Sequence, residues 1–186
     1  HISALGINET VSSKYMQSKL NGEKNILNNF NRSVILRPSI IFGPEDKFFN
    51  QFAALAEFFP ILPLIGGGLT YFQPIYVGDV VKSIVTILEK EEINKNIYEL
   101  GGPQTFTFKE LMEILLRQIK KKSFLVPIPF LLAKFQAKIL QLLPKPLLTT
   151  DQVEMLKYDN IVTNKYPTLK DLKINPKTLE SILPDY

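Results

Sequence analysis

Short apolar runs alternate with amphipathic stretches along the first hundred residues, and this alternation constrains the fold more than any other feature of the chain. HISAL (1–5) reads as the end of a strand. Ser12 or Ser13 can cap a helix that runs to about Phe30. SVILRP (33–38) is a short strand rich in branched side chains, GPEDK (43–47) a turn, and FFNQFAALAEFF (48–59) an apolar helix. ILPLIGGGLTYF (61–72) reads as loop then strand, followed by QPIYV (73–77). Asp79 caps or opens the helix DVVKSIVTILEK, and NIYELGG (96–102) is a strand ending in a glycine turn. Strand, helix and strand at these lengths predict parallel βαβ units in an α/β fold.

Beyond residue 100 the character changes. Thr107 and Glu110 form a capping box ahead of LMEILLRQIK. FLVPIP (124–129) is extended, and FLLAKFQAKILQLL, TTDQVEMLKYDN and PKTLESIL read as three more helices. The expected architecture is a parallel sheet of about three strands over residues 1–100, with 44–74 contributing in part to a second lobe. Residues 101–186 form that smaller, mostly helical lobe, which binds a substrate or partner.

Composition removes several function classes. Among 186 residues there is no cysteine and one histidine. That rules out a disulfide framework and thiolate chemistry and argues against a zinc or haem site, so no metal is expected. The net charge of +4 comes almost wholly from lysine, without a dense basic patch interleaved with aromatics, so nucleic acid is not an expected partner. Lys120, Lys121 and Lys122 form a basic run at a predicted helix end, where cations suit the dipole. The apolar stretch 124–148 carries Lys134 and Lys138 mid-helix and four prolines, which argues against a transmembrane span. The two lysines lie one turn apart, so the helix is amphipathic. Its expected role is core packing with one wet face, the alternative being docking to a partner subunit or, peripherally, to a membrane surface.

The glycine-rich sites do not read as phosphate loops. Gly66, Gly67 and Gly68 precede a strand, not a helix N-terminus, and Gly101 and Gly102 are followed by Pro103. Turn roles are expected for both. No glycine-rich phosphate loop occurs in these 186 residues.

Chemistry enters at Tyr15 and Lys19, four residues apart in SSKYMQSKLNGEK. On a helix both side chains share one face. A phenol beside an ammonium can serve as an acid/base for hydride chemistry. A free tyrosine titrates near pH 10, so lowering it to about 7 takes roughly 4 kcal/mol of preferential phenolate stabilisation. Lysine supplies part of that, and an oxidised nicotinamide ring more. Spacing alone is weak evidence, since Tyr166 and Lys170 repeat it around Pro167, which disfavours a regular helix turn.

With these motifs in view, the chain resembles the extended or atypical short-chain dehydrogenase/reductase superfamily, the NAD-dependent epimerase/dehydratase-like proteins. SSKYMQSKLNGEK matches the tyrosine-x-x-x-lysine helix, LRPSIIFGPED the strand under the nicotinamide, and QPIYVGDVVKSIV the return to the nucleotide domain. Within it, FGPEDKFFNQFA, PLLTTDQVEMLKYDN and LKDLKINPKTLESILP are similar to the NAD(P)H-binding accessory-subunit family of respiratory complex I and its bacterial relatives. The resemblance covers essentially the whole chain, as the C-terminal portion of a family member, and implies the C-terminal part of a Rossmann-like parallel sheet.

It also implies site residues. Tyr15 is the catalytic or cofactor-facing phenol, Lys19 holds the nicotinamide ribose hydroxyls, and Ser3 is the nearest match for the catalytic serine or threonine, with Ala4 the alternative at that position. Pro38, Ser39 and Ile40 line the nicotinamide end of an NAD or NADP site. Sugar-nucleotide members often place asparagine where Ile40 stands, and an arginine near Phe72, Gln73 and Pro74; neither is present. A diphosphate without its bidentate partner forgoes roughly 1.5–3 kcal/mol. Arg37 and Asp79 are expected to be structural.

The expectation is therefore the C-terminal portion of a dinucleotide-binding accessory or assembly subunit linked to respiratory complex I subunits, with a structural cofactor. It would be cytoplasmic or peripheral at the inner membrane. An active NAD(P)-dependent oxidoreductase or epimerase using Tyr15, and a non-functional split-gene remnant, are the alternatives. His1, standing where a strand is already under way, suggests a piece of a longer protein, with an apolar sheet edge exposed and weak binding of the dinucleotide by this piece alone.

Overall fold

The computed structural model describes residues 1–7, 12–90, 96–144 and 146–183. At its centre three extended segments run parallel. Residues 1–5 pair with β1 (Ile35–Pro38) through an Ile2–Leu36 bridge. Ser3 N–H donates to the Leu36 carbonyl at 2.7 Å, and Leu5 N–H to that of Pro38 at 2.9 Å. On its other side β1 pairs in parallel with β6 (Ile97–Leu100), Ile35 opposite Ile97 and Pro38 opposite Leu100. All four β1 residues are buried, as expected of a strand covered on both faces.

The connection between residues 1–5 and β1 is α1 (Lys14–Asn29), capped by Ser13, whose hydroxyl accepts from Met16 N–H. β2 (Ile41–Phe42) continues beyond β1 and pairs in parallel with β5 (Ile75–Tyr76). From β5 the chain enters α3 (Val77–Leu88), which buries Val80, Ser83 and Ile87 against the sheet.

The rest of the fold closes over the C-terminal end of β1. It comprises α2 (Phe48–Phe58), β3 (Ile61–Ile65), β4 (Tyr71–Phe72), β7 (Phe106–Thr107), α4 (Phe108–Gln118), β8 (Phe124–Ile128), α5 (Phe130–Leu140) and α6 (Thr150–Met155). β3 pairs in parallel with β8, and β4 with β7 antiparallel. The largest apolar cluster joins Phe42, Phe49, Phe72, Phe108 and Leu111 with Leu179 and Leu183 from the end of the chain. Its rings meet edge-on, Phe48–Phe49 at 5.1 Å and Phe52–Phe108 at 5.4 Å between centroids, a favoured aromatic geometry. A second cluster packs Leu36, Ile75 and Leu100 against Leu169, Leu172 and Ile174.

Two sequence expectations are corrected here and a third, for Asp79, is sharpened. ILPLI is a strand, not a loop, despite Pro63: β3 is hydrogen-bonded to β8 alone, and a proline is tolerated on an open edge. PKTLESIL forms a turn, not a helix, with Ile182 and Leu183 N–H donating to the Leu179 carbonyl. A segment so short does not repay helix nucleation, and its leucines are instead drawn into the aromatic cluster. Asp79 sits in the first turn of α3, whose cap is Tyr76; its carboxylate accepts the Lys177 N–H at 2.7 Å and fastens the C-terminal segment.

The Thr107–Glu110 capping box is present, and Thr149 with Gln152 makes a second one at α6. The glycine triplet is a turn with φ of 63°, 74° and 72°. A Cβ on Gly66 would lie 2.3 Å from the Phe130 ring, so the triplet serves backbone conformation and close packing. The 120–122 lysines are exposed at the end of α4.

Candidate functional site

Tyr15 lies in the first turn of α1, half-exposed, and that turn is held by a residue far along the chain. Asp151, at the start of α6, accepts from Lys14 N–H at 2.7 Å, from Tyr15 N–H at 3.2 Å and from the Ser13 hydroxyl at 3.0 Å. A carboxylate satisfies amide donors that a helix start leaves free and complements its dipole. One turn on, the Lys19 ammonium lies 5.8 Å from the centroid of the Tyr15 ring and donates to the Ile2 carbonyl at 3.2 Å. Burial pushes the Tyr15 phenol above its ordinary value, the direction opposite to that a general base at neutral pH needs.

Beyond Tyr15 is a cavity of about 560 Å³, within the range of ligand pockets. Tyr15, Pro38, Ser39 and Ile40 line it; Lys19 and Ser3 do not. Ala4 does, because successive residues of an extended segment face opposite ways. The Ser3 hydroxyl is buried, with no hydrogen-bond partner among the described residues.

The polar floor of the cavity is a small network. The Ser39 hydroxyl donates to the Asn160 side-chain oxygen at 2.6 Å, the Asn160 amide donates to the Leu5 carbonyl at 3.2 Å, and Gln73 N–H donates to the Asn160 carbonyl at 3.1 Å. Asn160 thus ties residues 1–5, β1 and the strand region around Gln73 together. Neither it nor Asp151 stands out in the sequence, because most of their partners lie more than a hundred residues away. Asn160 ends the stretch TTDQVEMLKYDN read as a helix, and that polar end is the signal the sequence offers.

The expected departures fall in the cavity wall. Ile40 and Phe72 both line it, and Asp159 is the only ionisable carboxylate, with no lysine or arginine, among the described lining residues. Arg37 is not available to a ligand. It forms a bidentate pair with Glu23, at 2.8 and 2.5 Å, beneath the α1 helix, and its guanidinium lies 4.9 Å from the Tyr166 ring centroid. The Glu23 hydrogen bonds hold the guanidinium charged still more firmly. Among the described residues no cluster of metal-ligating side chains occurs.

The cavity lies at the carboxyl end of β1, the end of the strands beyond which open parallel sheets bind their ligands. The lining offers no cation for the phosphates of a dinucleotide.

No protein-family profile matches the chain. Among curated proteins it is similar to the mitochondrial NADH dehydrogenase [ubiquinone] 1 alpha subcomplex subunit 9 of Arabidopsis thaliana. The two are 34% identical over 189 residues, covering 96% of this chain and 47% of the relative. The mouse protein of the same name is 32% identical, covering 97% and 48%. The mitochondrial NADH-ubiquinone oxidoreductase 40 kDa subunit of Neurospora crassa is 26% identical, covering 100% and 49%. The chain thus spans about half the length of the curated relatives it matches. Among solved structures, the dTDP-glucose 4,6-dehydratase DesIV of Streptomyces venezuelae, with NAD and TYD bound, superposes with a TM-score of 0.65 at 19% identity. That match covers all of this chain and 57% of DesIV. The ADP-L-glycero-D-manno-heptose-6-epimerase of Helicobacter pylori gives 0.61 at 19% identity, covering 100% and 57%. By fold the chain is Rossmann-like, and by sequence it is a homologue, over about half their length, of the NADH dehydrogenase [ubiquinone] 1 alpha subcomplex subunit 9 and NADH-ubiquinone oxidoreductase 40 kDa proteins.

Proposed function

We propose that the chain is the C-terminal portion of an NAD(P)H-binding accessory or assembly subunit of respiratory complex I, in which the dinucleotide is held for structure and is not turned over. The observation that carries this is the cavity wall: Ile40 and Phe72 stand there in place of residues that would grip a sugar nucleotide, and Ala4 lines it while the Ser3 hydroxyl does not. Tyr15 and Lys19 would hold the nicotinamide ribose, and Pro38, Ser39 and Ile40 would border the ring. The cofactor, if it turned over, would supply hydride transfer, with Tyr15 as the acid.

Residues 1–100 form the nucleotide lobe and 101–186 the partner-binding lobe, with 44–74 shared. The outer face of α5 supports a docking role at the inner membrane: Leu131, Phe135 and Ile139 are exposed beside Lys134 and Lys138.

The second reading, an active oxidoreductase or epimerase, rests on the Tyr15–Lys19 pair. Tyr15→Phe in the full-length protein separates the two. Unchanged complex assembly and NADH oxidation support the structural cofactor; loss of a dinucleotide-dependent turnover, with assembly intact, supports catalysis.

A further inference from the structure

The cavity beside Tyr15 is built for hydrocarbon. Its wall is dominated by aliphatic and aromatic side chains such as Phe52, Leu55, Leu62 and Leu140. Most of the polar groups that reach it are already engaged. Ser39 and Asn160 bond each other, the Gln152 side-chain oxygen accepts Thr149 N–H at 2.9 Å, and the Gln51 amide donates to the Leu147 carbonyl at 3.3 Å. Asp159 accepts Tyr71 N–H at 2.9 Å. Inside it, an anionic group would meet one carboxylate and no cation among the described lining residues, and burying an unpaired charge is heavily penalised, so a charged head stays at the mouth. An apolar chain meets no such cost. At one side the lining includes Phe59 and Ile61, both about half-exposed, so the apolar wall reaches the surface there.

We propose that this cavity binds a single long hydrocarbon chain, acyl or isoprenoid, entering past Phe59 and Ile61. The proposal deepens the functional reading and rests on its claim that the sugar-nucleotide contacts are absent.

The test uses the 186-residue chain and a fluorescent polyene fatty acid, cis-parinaric acid, displaced by saturated fatty acids of ten to sixteen carbons or by farnesol. Burial of one methylene contributes about fourfold in affinity. Displacement should therefore strengthen by about that factor per methylene until the cavity is filled. Displacement by the fatty acids assigns an acyl occupant and by farnesol an isoprenoid one; failure of both overturns the proposal. So does competition by UDP-glucose. Leu140→Asp, which puts a carboxylate in the wall, and Leu55→Trp, which fills space, should each weaken the best competitor at least tenfold. Circular dichroism reports whether each variant folds. Folded variants that bind as the parent does overturn the proposal. Association with complex I subunits is measured separately: loss of hydrocarbon binding with association intact removes this inference and leaves the functional reading standing.

Discussion

At the scale of single residues, Tyr15 and Arg37 show how environment assigns roles that composition does not. The Tyr15–Lys19 pair has the spacing of an acid/base, yet the lysine reaches the Ile2 carbonyl and burial raises the phenol. Tyr15 should therefore titrate above the free-tyrosine value of about 10. Its contribution to stability is intact below that pH and lost as pH rises through the higher folded value. Ultraviolet titration of the parent against Tyr15→Phe measures this, and a component near pH 7 would contradict it. Arg37 is committed to Glu23, whose side chain is buried. Glu23→Leu leaves a buried guanidinium with no carboxylate and should cost about 3–5 kcal/mol in urea unfolding. A loss within 1 kcal/mol would show the pair to be dispensable.

At the scale of elements, local signals were legible and edges were not. Ser13, Thr107 with Glu110, and the apolar spacing of 79–90 each announce a helix through short-range hydrogen bonds, and all three helices form. ILPLI and PKTLESIL misled because their fate is tertiary: Pro63 survives on an open edge, and Leu179 and Leu183 are drawn into the aromatic cluster. The α4 box gives a quantitative check. Thr107→Ala should cost about 1 kcal/mol. The Thr107 backbone amide, then its hydroxyl, hold Glu110 below its ordinary value. Its contribution is present above about pH 4.3 and is lost as pH falls through the lower folded value. Glu110→Gln should flatten that part of the acid-unfolding profile; an unchanged profile would place the acid sensitivity elsewhere.

At the scale of the molecule, the sequence showed the parallel order of residues 1–5, β1 and β6 because covered strands read as apolar runs. It could not show that Asp151 holds the start of α1 or that Asn160 joins three segments at the cavity floor, since such contacts leave no periodicity. Of the site, Pro38, Ser39 and Ile40, which the resemblance singles out, do line the cavity, whereas its apolar wall was not legible in the sequence. The absence of a cation in that lining has a direct consequence: calorimetry with NADPH on this chain alone should show binding weaker than micromolar. Micromolar binding would mean that the described residues hold the phosphates unaided.

The most direct measurement of the assigned role is co-migration. The tagged chain, expressed within its full-length protein in the cells that make it, is followed by native electrophoresis with in-gel NADH dehydrogenase staining. Co-migration with the stained complex, persisting in Tyr15→Phe, is the expected result. Migration as a free protein, with no loss of the complex when the gene is removed, would contradict the assignment.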